Sequence, residues 1–222
     1  KETREADILF TRRYLIDKSL EPMSAVEIEW NKDNEINNLL TIKKIDKDLE
    51  IELNDACFDL ETYSSAKQFS NAEKDPIIMI GYVSDKTKKV LSYKHANFKE
   101  LELLKNEKEC ISRLVELIKK EEIDFIYTYN GDGFDFPFIK TRAKKNSVDF
   151  GIGFNESEPK AKRQGIDSAV KIKGLQHVDV FQLMKLLVRF SVINLVKFDL
   201  ESVVEQLYGE EKTKVFANEL NE

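Results

Sequence analysis

Apolar and polar residues follow two different patterns along this chain, and the change falls near residue 55. Residues 25–30 and 42–53 alternate apolar with polar side chains on either side of a polar loop, as half-buried strands do. We therefore predict a small β-rich N-terminal appendage over residues 1–55 and a separate domain over residues 56–222. The appendage shows no residue pattern that indicates chemistry of its own.

The second segment begins with strand patterns and continues with helical ones. Four stretches predict strands: residues 56–62, 76–84, 89–93 and 124–129. Ile111, Leu114, Val115 and Ile118 follow the i, i+3, i+4, i+7 spacing of a helix with one apolar face. Pro137 suits the first turn of the next helix.

The later part of this segment predicts an insertion and a closing helix. Three short stretches between residues 146 and 174 indicate a hairpin insertion, and residues 177–180 indicate a last short strand. A final helix is predicted between Asp199 as N-cap and Gly209 as C-terminal stop. The order of strands and helices is that of an α/β sheet with helices on its faces.

Composition restricts the class of protein. Hydrophobic residues make up 41% of the 222 residues, with 14 Phe and 7 Tyr, which supports a globular core. The longest apolar candidate, residues 186–198, is broken by arginine, asparagine and lysine, so no membrane helix is expected. Two cysteines cannot build a disulfide framework, which favours a reducing, intracellular compartment. Because the chain starts with Lys1 rather than Met, we expect a part of a longer protein.

Charge is unevenly distributed along the chain. The net charge is −6, which on average argues against nucleic acid. Residues 140–173, however, hold nine basic and four acidic residues, a local balance of +5. This basic stretch is either a solvated surface loop or, beside a phosphate-handling site, a contact for nucleic acid.

Two acidic residues share one face of the first predicted strand of the domain. Asp59 and Glu61 stand at positions i and i+2 and project together, whereas Phe58, Leu60 and Thr62 point the other way. Two like charges side by side on a core strand are costly unless a cation neutralises them. An acid-x-acid pair on an edge strand is also common without any metal, so the pair alone leaves both interpretations open.

A glycine-rich segment follows a later strand and precedes a helix. Residues 129–137 read YNGDGFDFP, and they lie where ligands of open α/β sheets collect. Asp135 either caps the helix or faces a metal. A calcium-loop reading fails, since counting from Asn130 the sixth position is Asp135 rather than Gly and the twelfth is Thr141 rather than Glu.

These two segments together resemble a known family. Residues 58–62 (FDLET) and 129–137 resemble the first and second exonuclease motifs of family B DNA polymerases, especially archaeal ones, and the second motif is the more specific. Residues 7–23 look like the segment that links the family's N-terminal domain to its exonuclease domain, and residues 177–181 and 200–204 look like stretches of the latter. The resemblance therefore covers nearly the whole chain.

The resemblance implies a ribonuclease-H-like fold and 3′→5′ proofreading of DNA. Asp59 would bridge two divalent ions, Mg²⁺ or Mn²⁺, Glu61 would hold one of them, and Asp135 would support the second directly or through water. Four further positions would contact the 3′ end of the strand: Leu60, Thr62, Asn130 and Phe134. Phosphodiester hydrolysis places extra negative charge on phosphorus, which two cations about 4 Å apart can stabilise.

The resemblance also implies partners and a location. The expected partners are a single-stranded or frayed 3′ DNA end, the remaining polymerase domains and, through the parent enzyme, a sliding clamp. A membrane is not expected, and the location would be cytoplasmic and nucleoid-associated. The basic stretch 140–173 would help to hold the DNA backbone.

The family's third exonuclease motif is missing from this sequence. That motif, a Tyr with an Asp four residues later, lies downstream of the helix at residues 200–208, and no such pattern follows Gly209. It normally supplies the last carboxylate and the tyrosine that orients the attacking water. We therefore expect a domain truncated before its third motif, weakly active or inactive as a nuclease in isolation and unable to polymerise.

Two other functions fit the same residues. One is a non-catalytic nucleic-acid-binding module of the same fold, and the other is a stand-alone exonuclease or ribonuclease. Nucleophile-elbow and phosphate-loop motifs are absent from the sequence. We interpret His177 as a hydrogen-bonded structural residue, and Asp132 and Asp179 as structural acids near the site.

Overall fold

The structure is a computed structural model of the chain. It describes residues 8–33, 36–47, 49–64, 69–164 and 167–209, without the side chains of residues 163, 164, 167 and 168. The chain divides into two compact units, Lys1–Glu52 and Leu53–Glu222. The segment after Gly209, where the third motif was sought, lies outside the described residues.

The first unit contains one helix and one hairpin. Helix α1 spans Phe10–Asp17 and was not predicted, and strands β1 (Val26–Asp33) and β2 (Ile36–Lys44) pair antiparallel. The predicted strand over residues 42–53 is therefore wrong beyond Lys44. Val26, which pairs with Lys44, is the first residue of β1, so the pairing of β1 with β2 ends at this point.

The second unit is built on a six-stranded mixed sheet. Its strands are β3 (Asp55–Thr62), β4 (Ile77–Ser84), β5 (Lys88–Ser92), β6 (Leu101–Leu103), β7 (Phe125–Thr128) and β10 (Gln176–Asp179). The order across the sheet is β10-β7-β3-β4-β5-β6. Strand β3 runs parallel to β7 and antiparallel to β4, so it lies inside the sheet. The α/β prediction is confirmed.

Two helices form the core with one face of this sheet. Helix α2 (Glu107–Lys120) carries the predicted stripe, with Ile111, Leu114 and Ile118 all buried, and helix α3 spans Asp135–Lys145. Their apolar side chains belong to one core cluster with the buried side chains of β3. Phe58 of β3 meets Phe136 of α3 edge to face, with ring centroids 5.3 Å apart. The core therefore fixes α3 against β3.

A buried ion pair joins α2, α3 and β4. Arg142 donates to both carboxylate oxygens of Glu107 at 2.7 and 2.6 Å, and Asn146 and the Ile77 N–H also donate to that carboxylate at 2.8 Å each. Burial alone would raise the pKa of Glu107, but these hydrogen bonds outweigh it and the pKa is lowered. The expectation that the basic stretch 140–173 faces DNA is therefore wrong for Arg142, which turns inward.

The remainder of the second unit is a hairpin and two helices. Strands β8 (Lys160–Gln164) and β9 (Asp167–Lys171) form the predicted hairpin. Residues 150–154 are not a strand, and a 3₁₀ turn at Phe154–Glu156 follows them. Helix α4 (Val180–Arg189) was not predicted, whereas α5 (Leu200–Tyr208) ends as predicted at Gly209 in the left-handed region (φ 71°). Within the described ranges, every helix is too short or too polar to cross a membrane.

Candidate active site

Strand β3 separates its core side chains from its polar ones. Ala56, Phe58 and Leu60 are buried on the face that meets the core, whereas Asp59 and Glu61 are exposed on the opposite face. This confirms that the two acids share one side of the strand. Because β3 lies inside the sheet, both acids project from the middle of that face rather than from its rim.

Asp135 is the buried acid of the site. It is the first residue of α3, it is 1% exposed, and its Oδ1 accepts the backbone N–H of Leu60 at 3.2 Å. Burial raises the pKa of Asp135 to about 7, with a further contribution from the negative charge of Asp59. The structure thus brings Asp59 and Asp135 into electrostatic contact, although 76 positions separate them in the sequence.

A tight turn between β7 and α3 directs Asp135 towards β3. Asn130 adopts a left-handed conformation (φ 68°), and its carbonyl accepts the N–H groups of Gly133 and Phe134 at 3.1 and 2.9 Å. A Cβ added at Gly131 would lie 2.0 Å from Oγ1 of Thr128, so the chain needs glycine there. The sequence signal for this turn is the Asn-Gly pair that follows a strand.

Asp179 fastens this turn to the sheet. It ends β10, and its Oδ1 accepts the N–H groups of Asn130 and Phe181 at 2.9 and 3.0 Å, while Oδ2 accepts the N–H of Asp132 at 3.0 Å. All three donors are backbone N–H groups. The bond from Phe181 makes Asp179 the N-cap of α4. These bonds agree with the interpretation of Asp179 as a structural acid, which stays a prediction. The sequence did not predict that Asp179 binds the turn, because only the fold brings residue 179 close to residues 130 and 132.

His177 and Asp132 form a second structural group below the turn. The side chain of His177 is 2% exposed, with Nε2 2.8 Å from Oγ1 of Thr128 and Nδ1 3.5 Å from Oδ1 of Asp132. Burial lowers the pKa of His177, which favours the neutral ring. Asp132 Oδ1 also accepts the N–H of Val170 from β9 at 2.5 Å. These contacts agree with the interpretation of His177 as a hydrogen-bonded residue, and structural roles for His177 and Asp132 stay a prediction.

Tyr129 anchors the start of the turn between β7 and α3, residues 129–134, which we call the site turn. Its hydroxyl donates to the carbonyl of Phe198 at 2.5 Å, and its ring meets that of Phe181 at a centroid distance of 5.7 Å. Burial raises the pKa of Tyr129, so the hydroxyl keeps its proton for this bond. The tyrosine of the YN pair therefore ties the turn to the segment that precedes α5.

The four positions predicted to contact a DNA end have defined places in the protein. The side chain of Leu60 is in the core, Thr62 donates to Ser70 Oγ at 2.7 Å, and Phe134 packs on Phe138 at 5.2 Å between centroids. Asn130 holds the turn described above. Their contact with DNA stays a prediction.

The donor set of the site suits a hard cation only in part. Among the described residues, no group of three or more His, Cys, Asp or Glu side chains is arranged to hold a metal ion. Asp59 and Asp135 are nevertheless two carboxylates whose mutual repulsion raises one pKa, and a cation between them would relieve that repulsion. Carboxylate oxygens are the ligands that Mg²⁺ and Mn²⁺ prefer. Glu61, on the same face as Asp59, offers a third carboxylate.

The mixed sheet carries two acids on an inner strand and a third at the start of α3, and with its flanking helices it defines an α/β domain. The sequence profile described as "DNA polymerase family B, exonuclease domain" matches residues 1–203. The chain therefore belongs to the exonuclease-domain family of the family B DNA polymerases. The resemblance found in the two motifs is confirmed, and the match includes the N-terminal unit.

Two archaeal relatives show the extent of the similarity. The chain is 38% identical over 215 residues to a DNA polymerase of Methanocaldococcus jannaschii, covering 97% of this chain and 12% of that protein. It is 37% identical over 219 residues to DNA polymerase 1 of Pyrococcus abyssi, covering 98% of this chain and 24% of that protein. The chain thus spans a quarter or less of the length of these relatives.

A solved structure supports the fold independently. The family B DNA polymerase of the hyperthermophilic archaeon Pyrobaculum calidifontis matches 93% of this chain and 26% of its own, with a TM-score of 0.71 and 22% identity. At this identity the likeness concerns the fold alone. It agrees with the mixed sheet and flanking helices of the second unit.

Proposed function

We propose that this chain is the 3′→5′ proofreading exonuclease region of a family B DNA polymerase and hydrolyses the terminal phosphodiester of a DNA strand. The observation that carries this proposal is the convergence of Asp59 and Asp135, two carboxylates far apart in sequence, of which one is buried and held by the backbone of β3. A repelling pair of carboxylates with one buried member is stabilised when a cation binds between them, as it would beside a phosphate. Residues 1–55 would be the N-terminal unit and residues 56–222 the exonuclease domain.

The exposed and the buried acids of the site would have different roles. Asp59 and Glu61, on the exposed face of β3, would receive divalent cations, and Asp135 would complete the set from the first turn of α3. Bound Mg²⁺ or Mn²⁺ would supply the positive charge that offsets the negative charge developing at phosphorus. Asn130 and Phe134, in the turn before Asp135, would position the 3′ end, and aromatic rings can stack bases of any identity.

The partners and the location of this chain would be those of a longer parent protein. The relatives named above are DNA polymerases several times longer than this chain. We therefore propose the other polymerase domains as partners, an intracellular location with the DNA and, through the parent enzyme, contact with a sliding clamp.

The proposal is tested by cation binding and by strand shortening. Mn²⁺ titration followed by electron paramagnetic resonance should show binding that weakens at least about tenfold in Asp59→Asn and Asp135→Asn, since each removes a charged ligand. Asp55→Asn is the matched control, because Asp55 lies on the same face of β3, four positions before Asp59. A 5′-labelled single-stranded oligonucleotide should shorten from its 3′ end only when Mg²⁺ or Mn²⁺ is present, and at most slowly, as expected for a chain without the third motif.

Four outcomes decide between the candidates. Cleavage that starts at the 5′ end, or that persists in Asp59→Asn, would contradict the proposal, as would Mn²⁺ binding that is equal in all variants. Cation-independent DNA binding with neither Mn²⁺ binding nor strand shortening would favour the second candidate, a non-catalytic nucleic-acid-binding module. That candidate draws support from the lack of a ready three-acid cluster among the described residues.

A further inference from the structure

The segment around the end of α4 exposes large apolar side chains. Leu186 is 47% exposed and Phe190 69%, and in the connection to α5 Val192 and Val196 are 65% and 84% exposed. Single exposed apolar side chains are ordinary on a protein surface, but a cluster of them marks a surface that another segment or molecule covers. Four such side chains stand within eleven positions of this chain, which favours a covered surface.

A groove of about 530 Å³ adjoins these residues. Phe181 and Phe198, whose ring centroids are 6.3 Å apart, stand in its lining together with Leu186 and Val188. Three polar side chains complete the lining: Gln182, Lys185 and Arg189. We call this feature the α4 groove. Its apolar and cationic lining suits an occupant that carries both apolar and negatively charged groups.

The two cations of the α4 groove have no carboxylate partner among the described residues. The Nζ of Lys185 lies 5.3 Å from the ring centroid of Phe181, and Arg189 stands in the last turn of α4. Four positions separate the two cations, so they share one side of the helix and lie one turn apart. Each of them would gain an ion pair from a bound acidic segment.

We propose that residues 210–222, which follow α5 and lie outside the described residues, bind in the α4 groove. This segment, EEKTKVFANELNE, holds four glutamates and two lysines, a balance of −2. It also holds three large apolar residues, Val215, Phe216 and Leu220. The glutamates complement the two cations of the groove, and the apolar side chains complement its two phenylalanine rings.

The contacts of α5 place the start of this segment near the α4 groove. Gln206 of α5 donates to the carbonyl of Asn194 at 2.6 Å, and Gly209 caps α5 one turn later. Asn194 belongs to the connection between α4 and α5. Thirteen residues extend over at most about 45 Å, whereas the lining from Phe181 to Arg189 covers about 12 Å of helix. Residues 210–222 are therefore long enough to reach the whole groove.

A second copy of the chain fits the α4 groove less well. A symmetric contact through the same groove would bring Lys185 and Arg189 of both copies together, and like charges across an interface are costly. Residues 210–222 avoid this repulsion, and as part of the same chain they bind at a high effective concentration. Their binding would also cover the helix that starts at Asp179, the residue that holds the site turn.

A tryptophan placed in the segment tests whether the segment is covered. Trp30 is the only tryptophan of the chain, so Trp30→Phe with Phe216→Trp leaves one emitter, in residues 210–222. We expect blue-shifted emission and slow quenching by acrylamide, because the indole would lie against apolar side chains. Leu186→Gln in this background should shift the emission to the red and speed up quenching. Leu183→Gln is the matched control, since Leu183 lies on the same helix outside the lining of the groove.

A second experiment reverses the charges on both sides of the contact. In the same background, Lys185→Glu/Arg189→Glu reverses the groove, and Glu219→Lys/Glu222→Lys reverses the segment. Each pair of substitutions should shift the emission to the red and lower Tm by about 2–4 °C. All four together should restore both readings, because the ion pairs form again with opposite polarity. A fold damaged by two substitutions would not be repaired by two more.

The control Lys108→Glu/Lys120→Glu reverses two exposed lysines of α2 and should leave the emission unchanged. Emission of a solvent-exposed indole that no groove substitution alters would overturn the proposal. A blue shift that grows with protein concentration, together with sedimentation as a dimer, would assign the groove to a second copy instead. Failure of the four combined substitutions to restore the emission would mean that the segment is covered elsewhere. All measurements use EDTA and no DNA, so they are independent of the proposed nuclease activity.

Discussion

The backbone N–H of Leu60 donates to Oδ1 of Asp135 at 3.2 Å, although 75 residues separate the two. Leu60 stands between Asp59 and Glu61, so one hydrogen bond ties the buried acid to the strand that carries the exposed pair. Any change in the packing of α3 on β3 will therefore alter the spacing of all three carboxylates. Each of the following predictions concerns a contact that keeps this spacing.

Asp135→Asn should stabilise the cation-free protein at alkaline pH. The pKa of Asp135 is raised from 3.8 to about 7, so between these values the folded chain keeps a proton that the unfolded chain has lost. Stability from this group is therefore greatest at low pH and falls as pH rises through that window. Asparagine is neutral and can still accept the Leu60 N–H, so we expect a gain of about 1–3 kcal/mol above pH 7 that disappears near pH 4.

Urea unfolding in EDTA across this pH range measures the effect. A difference between Asp135→Asn and the parent chain that is the same at all pH values would contradict the assigned pKa.

Asp179→Ala should loosen the site turn more than it disturbs the rest of the fold. It leaves the N–H groups of Asn130, Asp132 and Phe181 without their acceptor, which should cost about 2–3 kcal/mol. Amide hydrogen exchange at Asn130 and Asp132 should accelerate, and Mn²⁺ affinity should fall. Asp179→Asn keeps one oxygen acceptor, so its exchange rates and Mn²⁺ affinity should lie between those of the parent chain and of Asp179→Ala.

Asn106→Ala is the control for this prediction. Asn106 caps α2, which is a separate element from the turn, by accepting the N–H of Glu109 at 3.0 Å. Its removal should cost about 1 kcal/mol without any change in cation affinity. Equal effects of the two substitutions on Mn²⁺ binding would show that Asp179 does not position the site.

Arg142→Met should be among the most destabilising single changes. It leaves the buried carboxylate of Glu107 without its cation, so we expect the free energy of unfolding to fall by about 3–5 kcal/mol. The lowered pKa of Glu107 means that the pair stabilises the fold above its ordinary pKa of 4.5 and that this stability is lost as pH falls further. The double variant Glu107→Gln/Arg142→Met should recover part of the loss.

The exposed pair of Lys145 and Glu73, at 3.1 Å, provides the comparison. Lys145→Ala should change the free energy of unfolding by less than about 1 kcal/mol. Similar losses for Lys145→Ala and Arg142→Met in chemical denaturation would refute the structural role of the buried pair.

Gly131→Ala should displace the site turn. The added methyl group would overlap Oγ1 of Thr128, so we expect a loss of about 1–3 kcal/mol and weaker Mn²⁺ binding. Gly209→Ala meets no atom within 4 Å and costs only its left-handed backbone, about 1 kcal/mol. Equal Mn²⁺ affinity in the two variants would argue against the crowding at Thr128.

Local signals in the sequence predicted the elements whose boundaries are local. The stripe of α2, the alternation of β3 and the caps of α5 each depend on residues within a few positions of one another. Helix α4 escaped prediction because it begins directly after β10, so the alternation at residues 177–180 continued into its first turn. Strand β6 has only three residues, too few for any pattern.

The candidate site was predictable only where one element contains it. The shared face of Asp59 and Glu61 follows from their spacing, and the motif resemblance added Asp135. Neither could show that Asp135 is buried, that Asp179 lies beside a turn 47 to 49 residues away, or that Arg142 turns towards Glu107. These facts depend on contacts between distant segments, and a single sequence carries no direct signal for them.

The alternation along β3 has a consequence for how such a domain can change over time. Its core side chains and its chemical side chains occupy opposite sides of one strand, so replacing Asp59 or Glu61 leaves the interior packing alone. Substitution of these two acids could therefore remove the proposed activity while the fold is kept. The reverse step, restoring an acid on an intact scaffold, would require a single codon rather than a new fold.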